Sequence, residues 1–191
     1  MPKKVFIIHG WGGYPEEGWL SWLNQELMAR GFEAKNSAMP QTDEPKIQPW
    51  VETLKKEVGI PDENTFFVGH SIGCQTILRY IESLREEIRV GGAVFVAPWV
   101  RLKGLTKKEE EIAKPWLETP INWQKVKKHT AKFVAIFSDN DPVVYLDDSE
   151  TFKEKLGAEI IIENNKLHFS GDDSIDQLPS ALESILKISG Q

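Results

Sequence analysis

Residues 65–78 read Thr65-Phe-Phe-Val-Gly69-His-Ser71-Ile-Gly73-Cys-Gln-Thr-Ile-Leu78. The first four are apolar or β-branched, as a buried strand requires. Beyond the second glycine, Ile77, Leu78, Ile81 and Leu84 recur at helical spacing. Between them lies Gly69-His70-Ser71-Ile72-Gly73, a Gly-x-Ser-x-Gly match. Glycine makes up about 7% of residues in general, so a chain of this size contains such a match by chance on the order of a few times in a hundred. Its position between an apparent strand and an apparent helix is far more specific, because this is the context of a nucleophile elbow. The small residues at 69 and 73 relieve crowding in a strained turn and let Ser71 project its hydroxyl at a helix N-terminus. The plain alternative is a glycine-rich turn whose serine caps the helix.

Six short apolar runs surround this stretch at regular intervals, near 4–9, 33–37, 65–69, 92–97, 132–138 and 158–163. Their near-continuous hydrophobicity predicts strands covered on both faces, as in a parallel sheet. Helical patterns lie between them at 18–29, 47–58, 72–87 and 145–156. A last helix is predicted over roughly 175–188, with Ser174-Ile-Asp-Gln177 as a capping box. Alternating strand and helix over the whole length predicts one three-layer α/β domain spanning 1–191 with a mostly parallel six-stranded sheet. Residues 98–123 interrupt the rhythm. They form a long charged connection carrying Trp99, Trp116, Pro115 and Pro120, and long connections of this kind often act as lids or binding segments. A lid-like insertion is expected there, with its tryptophans forming an apolar mouth.

Composition narrows the function. The 29 acidic residues outnumber the 23 basic ones for a net charge of −6. This argues against nucleic-acid binding, which needs clustered excess lysine and arginine. Short basic groups such as Lys125-Val-Lys-Lys128 alternate with acidic ones such as Glu109-Glu-Glu111 and read as solvated helix faces. One cysteine, Cys74, forms no internal disulfide and fits a reducing compartment. With no histidine pair at ligand spacing, it supports neither a metal nor a cofactor. No run approaches the roughly 20 apolar residues of a membrane span, and Met-Pro-Lys-Lys leads straight into Val5-Phe-Ile-Ile8 without a signal-peptide pattern. A cytoplasmic protein acting on a small-molecule acyl substrate, with no membrane or nucleic-acid partner, is expected. A protein partner is not indicated either way.

A serine hydroxyl needs a base, usually a histidine oriented by a carboxylate. When the nucleophile sits on a strand-to-helix turn, the chain order is serine, acid, histidine. Of four histidines, His9 ends the first strand, His70 lies inside the turn, and His129 precedes both candidate acids. His168 alone follows an acid-bearing loop. That loop, Ser138-Asp139-Asn140-Asp141-Pro142, follows the fifth predicted strand. Asp141 is preferred over Asp139, and it has a second reading as the N-cap of a helix starting at Pro142. The first strand ends in His9-Gly10-Trp11-Gly12-Gly13. A backbone N–H from this loop, with that of Ile72, could hold an oxyanion. Trp11 is the expected donor and Gly12 the fallback.

The motifs HGWGG, GHSIG, SDNDP and LHF, in this order, resemble the α/β-hydrolase superfamily. The compact length, FIIHGWGG and VGHSIGCQTILRY are similar to the small serine hydrolases of the retinoblastoma-binding protein 9 and YdeN group. The resemblance covers essentially the whole chain. It implies a reduced fold of six parallel strands without a large cap, and Ser71, Asp141 and His168 as the triad of a carboxylesterase-type hydrolase. Two departures stand out. Many family members carry glycine just before the histidine, where this chain has Leu167. The Leu-x-Cys-x-Glu signature linked to retinoblastoma binding is absent.

Two rival readings remain. A dinucleotide site needs Gly-x-Gly-x-x-Gly, but Gly10-Trp-Gly12 is followed by Pro15 where the third glycine belongs. A catalytically weak interaction module on a hydrolase fold is the other, since fold does not fix function.

Overall fold

A computed structural model describes residues 2–191. The elements run β1 (Lys4–Ile8), α1 (Trp19–Ala29), β2 (Glu33–Ser37), α2 (Ile47–Val58), β3 (Thr65–His70), α3 (Ile72–Ser83), β4 (Gly92–Val96), α4 (Lys107–Glu118), α5 (Trp123–His129), β5 (Phe133–Ser138), α6 (Asp148–Leu156), β6 (Glu159–Glu163) and α7 (Pro179–Ser189). All strands pair in parallel, in the order β2-β1-β3-β4-β5-β6. Helices α1 and α7 pack together on one face of the sheet. On the other, α2 packs on α3, α3 on α5, and α5 on α6. The expected three-layer parallel architecture is therefore present.

Every residue of β3, β4 and β5 is buried, as expected for strands covered on both faces. Strand β2 departs from that expectation. Its sequence Glu-Ala-Lys-Asn-Ser is not an apolar run, and exposure alternates along this edge strand because successive side chains point to opposite faces and α1 covers one of them. The chain leaves β1 in one direction to form β2, then crosses back to form β3 on the other side of β1. This reversal places the carboxyl ends of β1 and β3 side by side at a topological switch point, where open α/β sheets bind ligands.

Several predicted boundaries shift. Helix α3 ends at Ser83, short of residue 87. The last helix starts at Pro179, and Leu178 occupies the N-cap position without a side-chain cap, so the capping box expected at Ser174 does not form. A capping box does form at Thr106 and Glu109, opening α4 inside the long connection. The fixed φ of Pro179 suits a first helical position and determines where α7 begins.

The connection after β4 is pinned to the core at two places. Trp116 is 2% exposed, and its indole N–H donates to Pro45 O at 2.9 Å. It meets Trp50 edge-on. The buried Arg79 of α3 donates to Trp116 O and Thr119 O at 2.8 and 2.9 Å. Trp116 is thus a core residue, contrary to the expected role at an apolar mouth. Nearer β4, the wholly buried Asp148 carboxylate accepts from Val100 N, Arg101 N and the Arg101 guanidinium, at 2.6–3.0 Å. The Arg101 side chain is half exposed and stacks on Tyr145.

Removing the carboxylate strands two backbone donors and a cation, whereas removing the half-exposed Arg101 leaves the carboxylate with its backbone partners. Asp148→Ala should lower unfolding free energy by about 3 kcal/mol, and Arg101→Ala by about 1 kcal/mol or less. Urea denaturation of both variants checks this. A larger loss for Arg101→Ala would reverse the assignment of the anchoring group.

Candidate functional site

Ser71 lies at φ 52° and ψ −116°, in the left-handed range that costs a side-chain-bearing residue on the order of 1–3 kcal/mol. Its position is fixed by Ser71 N donating to Val96 O at 2.9 Å. The flanking glycines are sterically required. A Cβ at Gly73 would lie 2.5 Å from Ile8 O and 2.8 Å from His9 O. One at Gly69 would lie 2.7 Å from Cys74 N. Ser71 occupies the N-cap position of α3, but its side chain makes no capping hydrogen bond. The hydroxyl instead donates to His168 Nε2 at 3.0 Å. His168 Nδ1 donates to Asp141 Oδ2 at 2.8 Å. The three residues chosen from chain order therefore form one hydrogen-bonded line.

Asp141 is not a helix cap. Residues 142–147 are non-helical and α6 begins at Asp148. Asp141 Oδ1 accepts from Val143 N and Val144 N at 2.8 and 2.9 Å, a local turn common for aspartate, which leaves Oδ2 for the imidazole. Burial pushes the Asp141 carboxyl up. The hydrogen bond and charge of His168, with the two backbone N–H groups, outweigh burial and hold it below the usual carboxylate range.

The loop carrying His168 is strained and gripped from outside. Asn165, Leu167 and Phe169 all have φ near +50°. Leu167 thus adopts the left-handed backbone that glycine would take without strain. The acid loop offsets this. Asp139 Oδ1 accepts from Asn165 N at 2.8 Å, Ser138 Oγ from Lys166 N at 3.1 Å, and Asn140 Oδ1 from Leu167 N at 2.9 Å. Trp19 Nε1 donates to Phe169 O at 2.9 Å, and Asp173 Oδ2 accepts from His168 N at 3.0 Å. Sequence reasoning missed Ser138, Asn140, Trp19 and Asp173. The polar run at 138–141 was a visible signal for the first two, whereas Trp19 and Asp173 carried none.

The loop after β1 lies against the elbow. Gly12 N donates to Thr42 O at 2.9 Å, so the fallback donor is engaged. Trp11 N and Ile72 N have no acceptor among the described residues. The Gly10 carbonyl accepts from His9 Nδ1 at 2.8 Å and Gly13 N at 3.2 Å, which fixes the peptide that carries the Trp11 N–H. Ser71, His168, Trp11 and Ile72 border a cleft of about 450 Å³. Trp99, Leu102, Leu105 and Val143 add apolar lining. The start of the 98–123 connection therefore borders the cleft, and Trp116 does not.

The remaining histidines serve the backbone. His9 Nε2 accepts from Met39 N, His129 Nδ1 donates to Ile88 O, and His70 Nε2 donates to His168 O at 2.7 Å. His70 thereby ties the elbow to the His168 loop. Burial excludes its proton, assisted by the adjacent His168, and lowers its pKa from 6.5 to about 3. Unfolded chains take up that proton below about pH 6.5, while the folded protein takes it up only near pH 3. The associated stability is present above about pH 6.5 and is lost as pH falls toward the folded value. Unfolding free energy should therefore decline between pH 6.5 and 4.5, with His70 contributing about 1.4 kcal/mol per pH unit. A His70→Gln variant should lose that share of the slope in chemical denaturation. An unchanged slope would mean that folded His70 accepts its proton in this window.

A family model described as serine hydrolase matches residues 5–187. YdeN of Bacillus subtilis is 28% identical over 179 residues, covering 94% of this chain and 92% of YdeN. The crystal structure of the B. subtilis ydeN gene product superposes with a TM-score of 0.90 at 25% identity, covering 99% of this chain and all of that one. The serine hydrolase RBBP9 of Rattus norvegicus is 25% identical over 175 residues, 90% of each chain. Est1E of Butyrivibrio proteoclasticus, at 15% identity and a TM-score of 0.75 over 100% of this chain and 89% of that one, shares the fold. With a match running from the first strand through the last helix, this chain belongs to the serine hydrolase family.

Proposed function

We propose that the protein is a carboxylesterase-type serine hydrolase that cleaves small esters through an acyl-enzyme on Ser71. The observation that supports this most is the line Ser71 Oγ, His168 Nε2, His168 Nδ1, Asp141 Oδ2 at 3.0 and 2.8 Å, opening onto a cleft of suitable size for a small ligand. In the first half-reaction His168 Nε2 takes the Ser71 proton as Oγ attacks the ester carbonyl. Asp141 stabilises the resulting imidazolium and holds Nδ1 protonated. The N–H groups of Trp11 and Ile72 receive the oxyanion, and the first turn of α3 adds its positive dipole end. The imidazolium then gives its proton to the departing alkoxide, leaving an alcohol and acyl-Ser71. In the second half-reaction His168 takes a proton from water, whose oxygen attacks the acyl carbon, and returns it to Ser71 as the acid leaves. Residues 98–105 act as the lid-like wall of the acyl site through Trp99, Leu102 and Leu105.

A fluorophosphonate probe should label the wild type at Ser71, and p-nitrophenyl butyrate should be hydrolysed. Ser71→Ala should lose on the order of 10³-fold or more in kcat. A variant with near wild-type turnover would remove Ser71 from the reaction. Asp141→Asn, which leaves the imidazolium uncompensated, should lose at least about 10²-fold. Asp139→Asn keeps an oxygen acceptor for Asn165 N and should cost much less. The opposite ranking in variants of matched thermal stability would move the acid to Asp139.

A further inference from the structure

The charged side chains that line the cleft are all of one sign. Glu17, Glu109 and Asp172 border the same space as Ser71 and His168, and among the described residues no lysine or arginine does. Two of the carboxylates are held in place. Glu17 Oε1 accepts from Gly171 N at 3.2 Å, and Glu109 Oε2 accepts from both the backbone N–H and the hydroxyl of Thr106 at 2.7 Å. Those same bonds hold the Glu109 carboxyl below its ordinary range. The nearest basic side chains on the bordering segment are turned to other partners. Arg101 pairs with Asp148 and lies over Tyr145, and Lys103 lies over the same ring.

An independent feature of the cleft is aromatic. Trp11 and Trp99 both line it. Trp11 is partly exposed there, whereas Trp99 is 1% exposed and forms part of the packed wall. Aromatic faces beside carboxylates form the chemical environment that attracts an alkylammonium, through the ring quadrupole and direct charge. The carboxylates repel an anion at the same place, and the overall charge of −6 reinforces that bias.

We infer that this cleft prefers esters carrying a protonated or quaternary ammonium near the scissile bond over uncharged isosteres, and disfavours esters carrying a carboxylate. The inference rests on the hydrolase reading only for the identity of the bond that is broken. Preference for the cation resides in Glu17, Glu109, Asp172 and Trp11, none of which exchanges protons with Ser71.

Binding and turnover can be measured separately. In Ser71→Ala protein, titration followed by tryptophan fluorescence should give a dissociation constant for butyrylcholine about fivefold or more below that for 3,3-dimethylbutyl butyrate. That compound replaces the ammonium nitrogen by carbon. The carboxylate-bearing 4-butyryloxybutanoate should bind more weakly than both. The ratio should shrink in 0.5 M sodium chloride, and it should approach one in protein carrying Glu17→Gln, Glu109→Gln and Asp172→Asn together. These amides retain the oxygen acceptors for Gly171 and Thr106. Equal affinity for the cation and its isostere, binding of neither, or tighter binding of the carboxylate would overturn the inference. In the wild type, kcat/KM should follow the same order. If the binding order holds but no ester is hydrolysed, the hydrolase reading fails while the ammonium preference stands.

Discussion

The close approach of the β3–α3 turn to the end of β1 is the constraint on which the rest of this structure depends. Ile8 O and His9 O lie so near Gly73 that a single methyl group there would collide with main-chain atoms on both. The same contact sets Ser71 at positive φ and brings the glycine-rich loop after β1 against the helix that Ser71 opens. The Ser71 hydroxyl, a helix N-terminus and the Trp11 N–H consequently meet at one point, at the switch between β1 and β3. Strain in this turn is offset by the bulk of the sheet beneath it, since β3 and β4 are buried along their full lengths.

The second half of the site is built by a different device. His168 sits on an irregular loop after an edge strand, with a leucine where glycine would relax the backbone. Left alone, such a loop would relax toward less strained conformations. Ser138, Asp139 and Asn140 bind three successive backbone N–H groups from Asn165 to Leu167, while Asp141 binds the imidazole that follows. Acid loop and histidine loop therefore act as one unit. His70 fastens that unit to the end of β3 through the His168 carbonyl. The departure from the family pattern at Leu167 is accommodated by these bonds.

The connection after β4 divides into two parts with different roles. Trp116 and the carbonyls held by Arg79 belong to the core, so α4 is anchored along its inner side. Val100 and Arg101 are bound through Asp148, and Lys103 N donates to Val143 O beside the Asp141 turn. The wall of the cleft and the acid loop are thus joined through main-chain hydrogen bonds. Movement of residues 100–105 would be felt at Asp141.

The amino-acid order alone determined the alternation of strands and helices and the parallel sheet, and it singled out Ser71, Asp141 and His168, which the fold joins by hydrogen bonds. Those features depend on local signals, namely apolar runs, glycine spacing and chain order, that any folded form of this chain must satisfy. It failed where competing local signals were decided by distant partners. Asp141 before Pro142 looks like a helix cap, yet its carboxylate is divided between a two-residue turn and an imidazole 27 positions away. Ser174 looks like the start of a capping box, yet the chain remains irregular until Pro179. Trp116 looks like part of an open mouth, yet Pro45 and Trp50 enclose it. Only tertiary structure settled these points, and it alone gathered Glu17, Glu109 and Asp172 around one cleft. Charges so far apart in sequence have no shared local signal, and their proximity comes from the crossing of the chain at the sheet's carboxyl edge.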